Sequence, residues 1–169
     1  MSPSLSRRSV LTSLACAGLA GAGFGSARAQ AFPQYFSSFA VDVSVLRAKG
    51  LGPFADLVGA AALDELRRSF ADRLDRRGPR LVVRLTGIFQ TPFPDSGGGG
   101  RWWRDGRGGG TDSLDGEALA VGPRGEILAR HPQLAVLDVR TSILNPNEQG
   151  RAVALAQHYV RWLRRQLIR

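Results

Sequence analysis

The chain holds only two imidazoles, His131 and His158, and its aspartates, among them Asp42, Asp56, Asp95, Asp105, Asp112 and Asp115, are scattered. Nucleophilic hydrolysis needs a serine and an acid held beside one histidine, and no Gly-x-Ser-x-Gly elbow supplies the serine. A zinc centre needs ligands at short spacings, which two distant histidines do not offer. His158 falls in a helical pattern and His131 at the end of a predicted hairpin, and both read as structural residues. Asp112, Asp115 and Glu117 form the nearest acidic cluster and read as a solvated group. These residues predict no catalytic constellation, no metal site and no cofactor.

A second set of residues suits recognition better than catalysis. Arg101, Trp102, Trp103 and Arg104 lie inside Gly97 to Gly110, a stretch in which eight of fourteen residues are glycine. So many glycines disfavour a packed element and predict a flexible loop over residues 95–112. Two adjacent indoles on such a loop have three uses: seating at a membrane interface, insertion into a partner's apolar groove, or stacking on sugar rings. The competing reading is that the tryptophans fold back onto the domain. The stretch lacks the Gly-Lys-Ser/Thr ending of a phosphate-binding loop.

The N-terminus carries an address. Ser6-Arg7-Arg8-Ser9-Val10-Leu11 joins a basic start without acids to the apolar run Val10 to Leu19, and Ala27-Arg28-Ala29 fits a small-x-small cleavage pattern before Gln30. The run is too short and too rich in glycine to span a bilayer. The stretch resembles the twin-arginine translocation signal of bacteria, Ser-Arg-Arg-x-Phe-Leu, with Val10 in place of phenylalanine. That resemblance implies residues 1–29 as a cleaved signal, transient engagement of the twin-arginine translocase, and a periplasmic domain over residues 30–169. Cys16 is not a lipidation site, because Ser13 stands where a lipobox places leucine.

Removing the leader takes the only cysteine, leaving no disulfide and no thiolate. It also takes Arg7, Arg8 and Arg28 and no acid, so a net charge of +9 falls to +6. That surface suits anionic headgroups or an acidic protein, whereas nucleic acid is a poor partner for an exported protein. A length of about 140 residues predicts one domain with one core.

The elements that must position these residues follow from periodicity. Phe39 to Leu46 alternates as a strand. Pro53 to Arg77 reads as a long amphipathic helix with the stripe Phe54, Leu57, Val58, Ala61, Ala62, Leu66, Phe70 and Leu74, and with Asp64/Arg68 and Asp72/Arg76 pairs opposite. Arg80 to Phe89 is a second strand, with Leu81, Val83 and Leu85 on one face and Val82, Arg84, Thr86 and Ile88 on the other. Gly116 to Val121 and Glu126 to Arg130 form a hairpin around Gly122-Pro123-Arg124-Gly125. Leu134 to Val139 is either a short strand or a buried loop. Asn145-Pro146-Asn147-Glu148 predicts a capped final helix to about Ile168, with the stripe Val153, Ala156, Val160, Leu163 and Leu167 widened by Leu155, Tyr159 and Trp162.

Strand, helix, strand, loop, hairpin and helix assemble into an α+β two-layer sandwich, a four-stranded sheet with both long helices on one face. The order resembles small envelope modules: lipopolysaccharide-assembly lipoproteins of the LptE kind, auxiliary proteins of ABC transporters, and the N-terminal domain of TolB-like proteins. Such a likeness of order does not establish function; the expected role is a non-catalytic accessory or adaptor domain that binds an envelope protein or an anionic envelope surface. The alternatives are a lipid or lipopolysaccharide transport helper, and a small-ligand binder or hydrolase with Arg84, His131 or His158 at its pocket.

Overall fold

The computed structural model describes residues 31–91, 110–139 and 147–168. Contacts divide the chain into Met1–Gln30 and Ala31–Arg169, and the description that follows concerns the second unit. Its elements are β1 (Ser38–Asp42), the one-turn helix α1 (Ser44–Leu46), α2 (Gly52–Ser69), β2 (Arg80–Phe89), β3 (Gly110–Val121), β4 (Ile127–Val139) and α3 (Glu148–Leu167). The strands form one sheet in the order β1-β2-β3-β4. β1 and β2 are adjacent and parallel, joined through α2, while the other pairings are antiparallel.

Two long helices lie on one face of this sheet, giving a two-layer α+β sandwich. The strand registers align Val41, Val83, Ala118 and His131 across the sheet on the helix side. Leu81, Val83, Leu85, Leu114 and Ala118 are fully buried there against Val58, Ala62, Leu66, Leu155, Tyr159 and Leu163. Phe36 is also fully buried and meets Phe70 edge to face at 6.0 Å, so the stretch before β1 is part of the core. Where α2 crosses Val43, a Cβ at Gly59 would lie 2.9 Å from the valine methyl, which sets how closely the layers approach.

The structure corrects several boundaries. β1 stops at Asp42, because the Asp42 carboxylate accepts the Ser44 N–H at 2.9 Å and turns the chain into α1; the strand does not reach Leu46. α2 stops at Ser69, about two turns before Arg77. There Phe70 leaves helical geometry and Leu74 bridges to Phe36, returning the chain to the start of β2. Leu74 is therefore exposed rather than part of the stripe. The expected i, i+4 pairs are replaced by Arg67–Asp64 and Arg68–Glu65 at i, i+3, and Asp72 pairs with Arg164 of α3 instead.

β3 begins at Gly110, so the end of the predicted loop, Gly110 to Asp112, is strand. β4 runs unbroken from Ile127 through Leu134 to Val139, so Leu134 to Val139 is part of this strand and neither a separate short strand nor a buried loop. Pro132 is tolerated within it because β4 is an edge strand, where a missing N–H need not cost a ladder bond. The cap of α3 is Asn147, whose Oδ1 accepts the Gly150 N–H at 2.8 Å; Asn145, the expected cap, lies outside the described residues. The buried stripe of α3 is centred on Ala152, Leu155, Ala156, Tyr159 and Leu163, leaving Val153 half-buried and Trp162 exposed.

Candidate functional site

The residues singled out by sequence fall into two groups. Arg7, Arg8, Cys16, Ala27, Ala29 and Gln30, together with Arg101, Trp102, Trp103 and Arg104, lie outside the described residues. The structure does describe the points where the tryptophan-bearing segment leaves and rejoins the sheet. Thr91 donates its N–H to Asp112 Oδ1 at 3.0 Å and its hydroxyl to the Thr111 carbonyl at 2.7 Å. Arg151 of α3 closes this junction: Nη2 donates to the Thr91 carbonyl at 3.1 Å and to Asp112 Oδ1, and Nε donates to Asp112 Oδ2 at 3.0 Å. Thr91 and Gly110, the described residues on either side of residues 92–109, are thus held together at one corner of the sheet.

This junction overturns the expectation that Asp112 is solvated. Asp112 is fully buried and Arg151 nearly so. A cation in the first turn of a helix opposes the helix dipole, and the Asp112 carboxylate is what offsets that cost. The pairing was not legible in the sequence, because Asp112 and Arg151 are 39 positions apart and no periodicity links them.

The groups considered for a pocket do not converge. Arg84 points to the sheet face opposite the helices, where Nε donates to Asp42 Oδ2 at 3.0 Å and Nη1 to Glu117 Oε1 at 3.3 Å. His131 lies on the helix side, with Nε2 against Gln166 Oε1 at 2.6 Å and its ring edge-on to Phe32. His158 sits half-buried on α3. Among the described residues no three His, Asp or Glu side chains converge as a metal site would require.

The open face of the sheet is the surface that remains for recognition. Its centre is an ionic cluster: Asp42, Arg84 and Glu117 in one cross-strand row, with Arg130 reaching Glu117 at 3.1 Å. Ser44 is the main cause holding the Asp42 carboxyl below its usual range, and Arg84 adds to it. Toward the corner where Thr91 and Gly110 are held together, the face turns apolar. Phe89, Leu134 and Val136 are exposed at 58%, 58% and 49%, and Phe89 and Val136 flank Ser113 in one cross-strand row.

Phe89 was missed by alternation, and the reason is a bulge. The register of β2 against β3 shifts between Leu85 and Gly87, which turns Ile88 toward the core beside Leu114 and Phe89 outward. Strict period two would place Ile88 outside and Phe89 inside. Gly87 is the only signal in the sequence, since glycine in a strand often marks a bulge.

The class defined by this arrangement is a two-layer α+β sandwich with one covered and one uncovered sheet face. In comparisons with known proteins, the chain matches no family model and no curated protein sequence.

Proposed function

We propose that the chain is a non-catalytic accessory or adaptor domain, exported by the twin-arginine route, that docks an envelope protein through the open face of its sheet. The observation that carries this reading is the Phe89, Leu134 and Val136 patch beside the Asp42–Arg84–Glu117–Arg130 cluster. An exposed apolar patch lying beside charged groups that are already paired has the composition of a protein interface. Trp102 and Trp103, with Arg101 and Arg104, belong to the segment between Thr91 and Gly110, which meet at this corner, and are proposed as part of the contact. No described helix is long and apolar enough to cross a membrane.

Photo-crosslinking in the native envelope tests this directly. A crosslinker at position 134 or 136 is expected to give one discrete protein adduct, and one at exposed position 67 of α2 is expected to give none. The adduct at 136 should disappear in the Trp102→Ala/Trp103→Ala variant. Equal labelling from all three positions, or no adduct from the open face, would sink the reading. The address has its own test: Arg7→Lys/Arg8→Lys should hold the protein in the cytoplasm, and normal export would remove the twin-arginine route.

A further inference from the structure

The arginines of this protein are not distributed alike. Arg47, Arg67, Arg68, Arg73, Arg84, Arg130, Arg151, Arg161 and Arg164 each reach a carboxylate within 4.0 Å. Arg76, Arg77, Arg80, Arg124 and, on α3, Arg165 have no such partner among the described residues, and the first four gather at one end of the sheet. The registers show why: Ser38, Arg80 and Val121 align across β1, β2 and β3, so the turn before β2 and the turn after β3 meet there. Between those turns lies an open groove of about 530 Å³, with Arg76, Arg77 and Arg80 on one side and Gly122, Pro123 and Leu128 on the other. Arg124 stands in the second turn, between two residues that line the groove.

Among the described residues, the acids of this end keep their charge but form no ion pair with these four arginines, which outnumber Asp75 and Glu126. Asp75 Oδ1 accepts the Arg77 backbone N–H at 2.9 Å, Glu126 Oε2 accepts the Arg124 backbone N–H at 2.9 Å, and Asp72 is held by Arg164. Among the described residues, both turns therefore leave their guanidinium groups without an ion-pair partner while their carboxylates shape the backbone. Around the groove the same end exposes Tyr35, Leu74, Ile127 and Leu128. Free arginines interleaved with exposed aliphatic side chains suit an interface where phosphates meet hydrocarbon. A nucleic-acid strand would call for stacking faces, and among the described residues the exposed aromatic at this end, Tyr35, already carries the Arg73 guanidinium 5.5 Å from its ring centre.

We propose that this arginine groove binds the phosphates of an anionic bilayer surface, with Leu74 and Leu128 seated at the headgroup level. The site lies at the opposite end of the strands from the Phe89 and Val136 patch and uses none of its residues. Guanidinium groups match phosphate oxygens in paired hydrogen bonds. The attraction is screened beyond about 8 Å at physiological ionic strength, so the effect belongs to the few arginines nearest the surface.

Vesicle sedimentation of the full chain tests it, using phosphatidylglycerol mixed with phosphatidylcholine against phosphatidylcholine alone. The wild type is expected to bind the anionic vesicles only. Arg76→Ala/Arg77→Ala/Arg80→Ala should weaken partitioning by roughly 100-fold, from about five-fold per arginine near an anionic surface. The control Arg47→Ala/Arg67→Ala/Arg68→Ala removes the same charge elsewhere and should have far less effect. All variants share residues 1–30, so differences between them read the groove. Should the triple variant melt early, Arg77→Ala and Arg124→Ala singly carry the test, each losing about five-fold. Equal losses in groove and control variants would reduce the effect to net charge and overturn the site. Indifference to phosphatidylglycerol would overturn it as well. Tighter, groove-dependent binding to single-stranded DNA would replace the bilayer with nucleic acid.

Discussion

The two faces of the sheet use the same chemistry under opposite conditions. On the helix side, Asp112 and Arg151 form an arginine–carboxylate pair with side chains 0% and 10% exposed. On the open side, Arg84 bridges Asp42 and Glu117 with 36% of its side chain in solvent. A buried pair is strongly coupled because neither charge can return to water, whereas an exposed pair exchanges one set of solvated charges for another. The covered face therefore has polar groups that must be satisfied for the fold, while the open face has polar groups free to serve a partner.

The sharpest way to break this contrast is to remove one member of the buried pair. Asp112→Ala leaves the Arg151 guanidinium buried without its carboxylate and should cost about 3–5 kcal/mol in urea unfolding. The double variant Asp112→Leu/Arg151→Met should recover most of that loss, since two apolar groups can replace a buried pair. If Asp112→Ala costs no more than a surface change, the pair is solvated and the contrast fails.

Tyr159 tests the same face with the opposite sign. Its phenol is fully buried, lacks a hydrogen-bond partner among the described residues, and lies over Gly116, where a Cβ would come within 3.0 Å of the hydroxyl. Burial, reinforced by Asp115 and Glu117, pushes its ionisation well above the ordinary tyrosine value of 10.0. Tyr159→Phe is expected to raise stability by about 1–2 kcal/mol, because it removes a desolvated hydroxyl. A folded-state pKa raised in this way contributes stability that is fully present below about pH 10 and is lost as pH rises through the folded value. The phenylalanine variant should lose less stability above pH 10 than wild type.

Smaller effects belong to the open face. Arg84→Ala should cost no more than about 1 kcal/mol, and the cost should shrink in high salt. A larger, salt-independent loss would mean that the cluster is structural.

The smallest effect is the acid limb. Asp42 is held below the ordinary carboxylate range by Ser44 and then Arg84, and Asp72 chiefly by Arg164. Lowered folded-state values contribute stability that is present above about pH 4 and is lost as pH falls through them. Arg164→Ala should flatten that limb. An unchanged acid limb would remove the Asp72–Arg164 contact from the account.

Much of the architecture was legible because it rests on local periodicity. Arg80 to Phe89 is bounded as the alternation indicates, and the stripe Val58, Ala62, Leu66 and Phe70 identifies the buried face of α2. The errors cluster where a distant contact competes with local preference. Leu74 continues the helical stripe by spacing, yet its bridge to Phe36 draws the chain out of the helix. The same cause hid the candidate surface: the bulge at Gly87 depends on pairing with β3, and it decides that Phe89 faces solvent.

By itself the sequence determined the layer count, the two long helices and the strands they cover, because amphipathic faces of period two and 3.6 must be buried against one another. It also determined the glycine-rich composition around Trp102 and Trp103. Only the tertiary structure decided which charges are partners. Asp112 with Arg151, Asp72 with Arg164, and the gathering at one end of Arg76, Arg77, Arg80 and Arg124, unpaired among the described residues, are consequences of strand register and of where two turns meet. Charge pairing acts over a few ångströms in space and carries no periodicity along the chain.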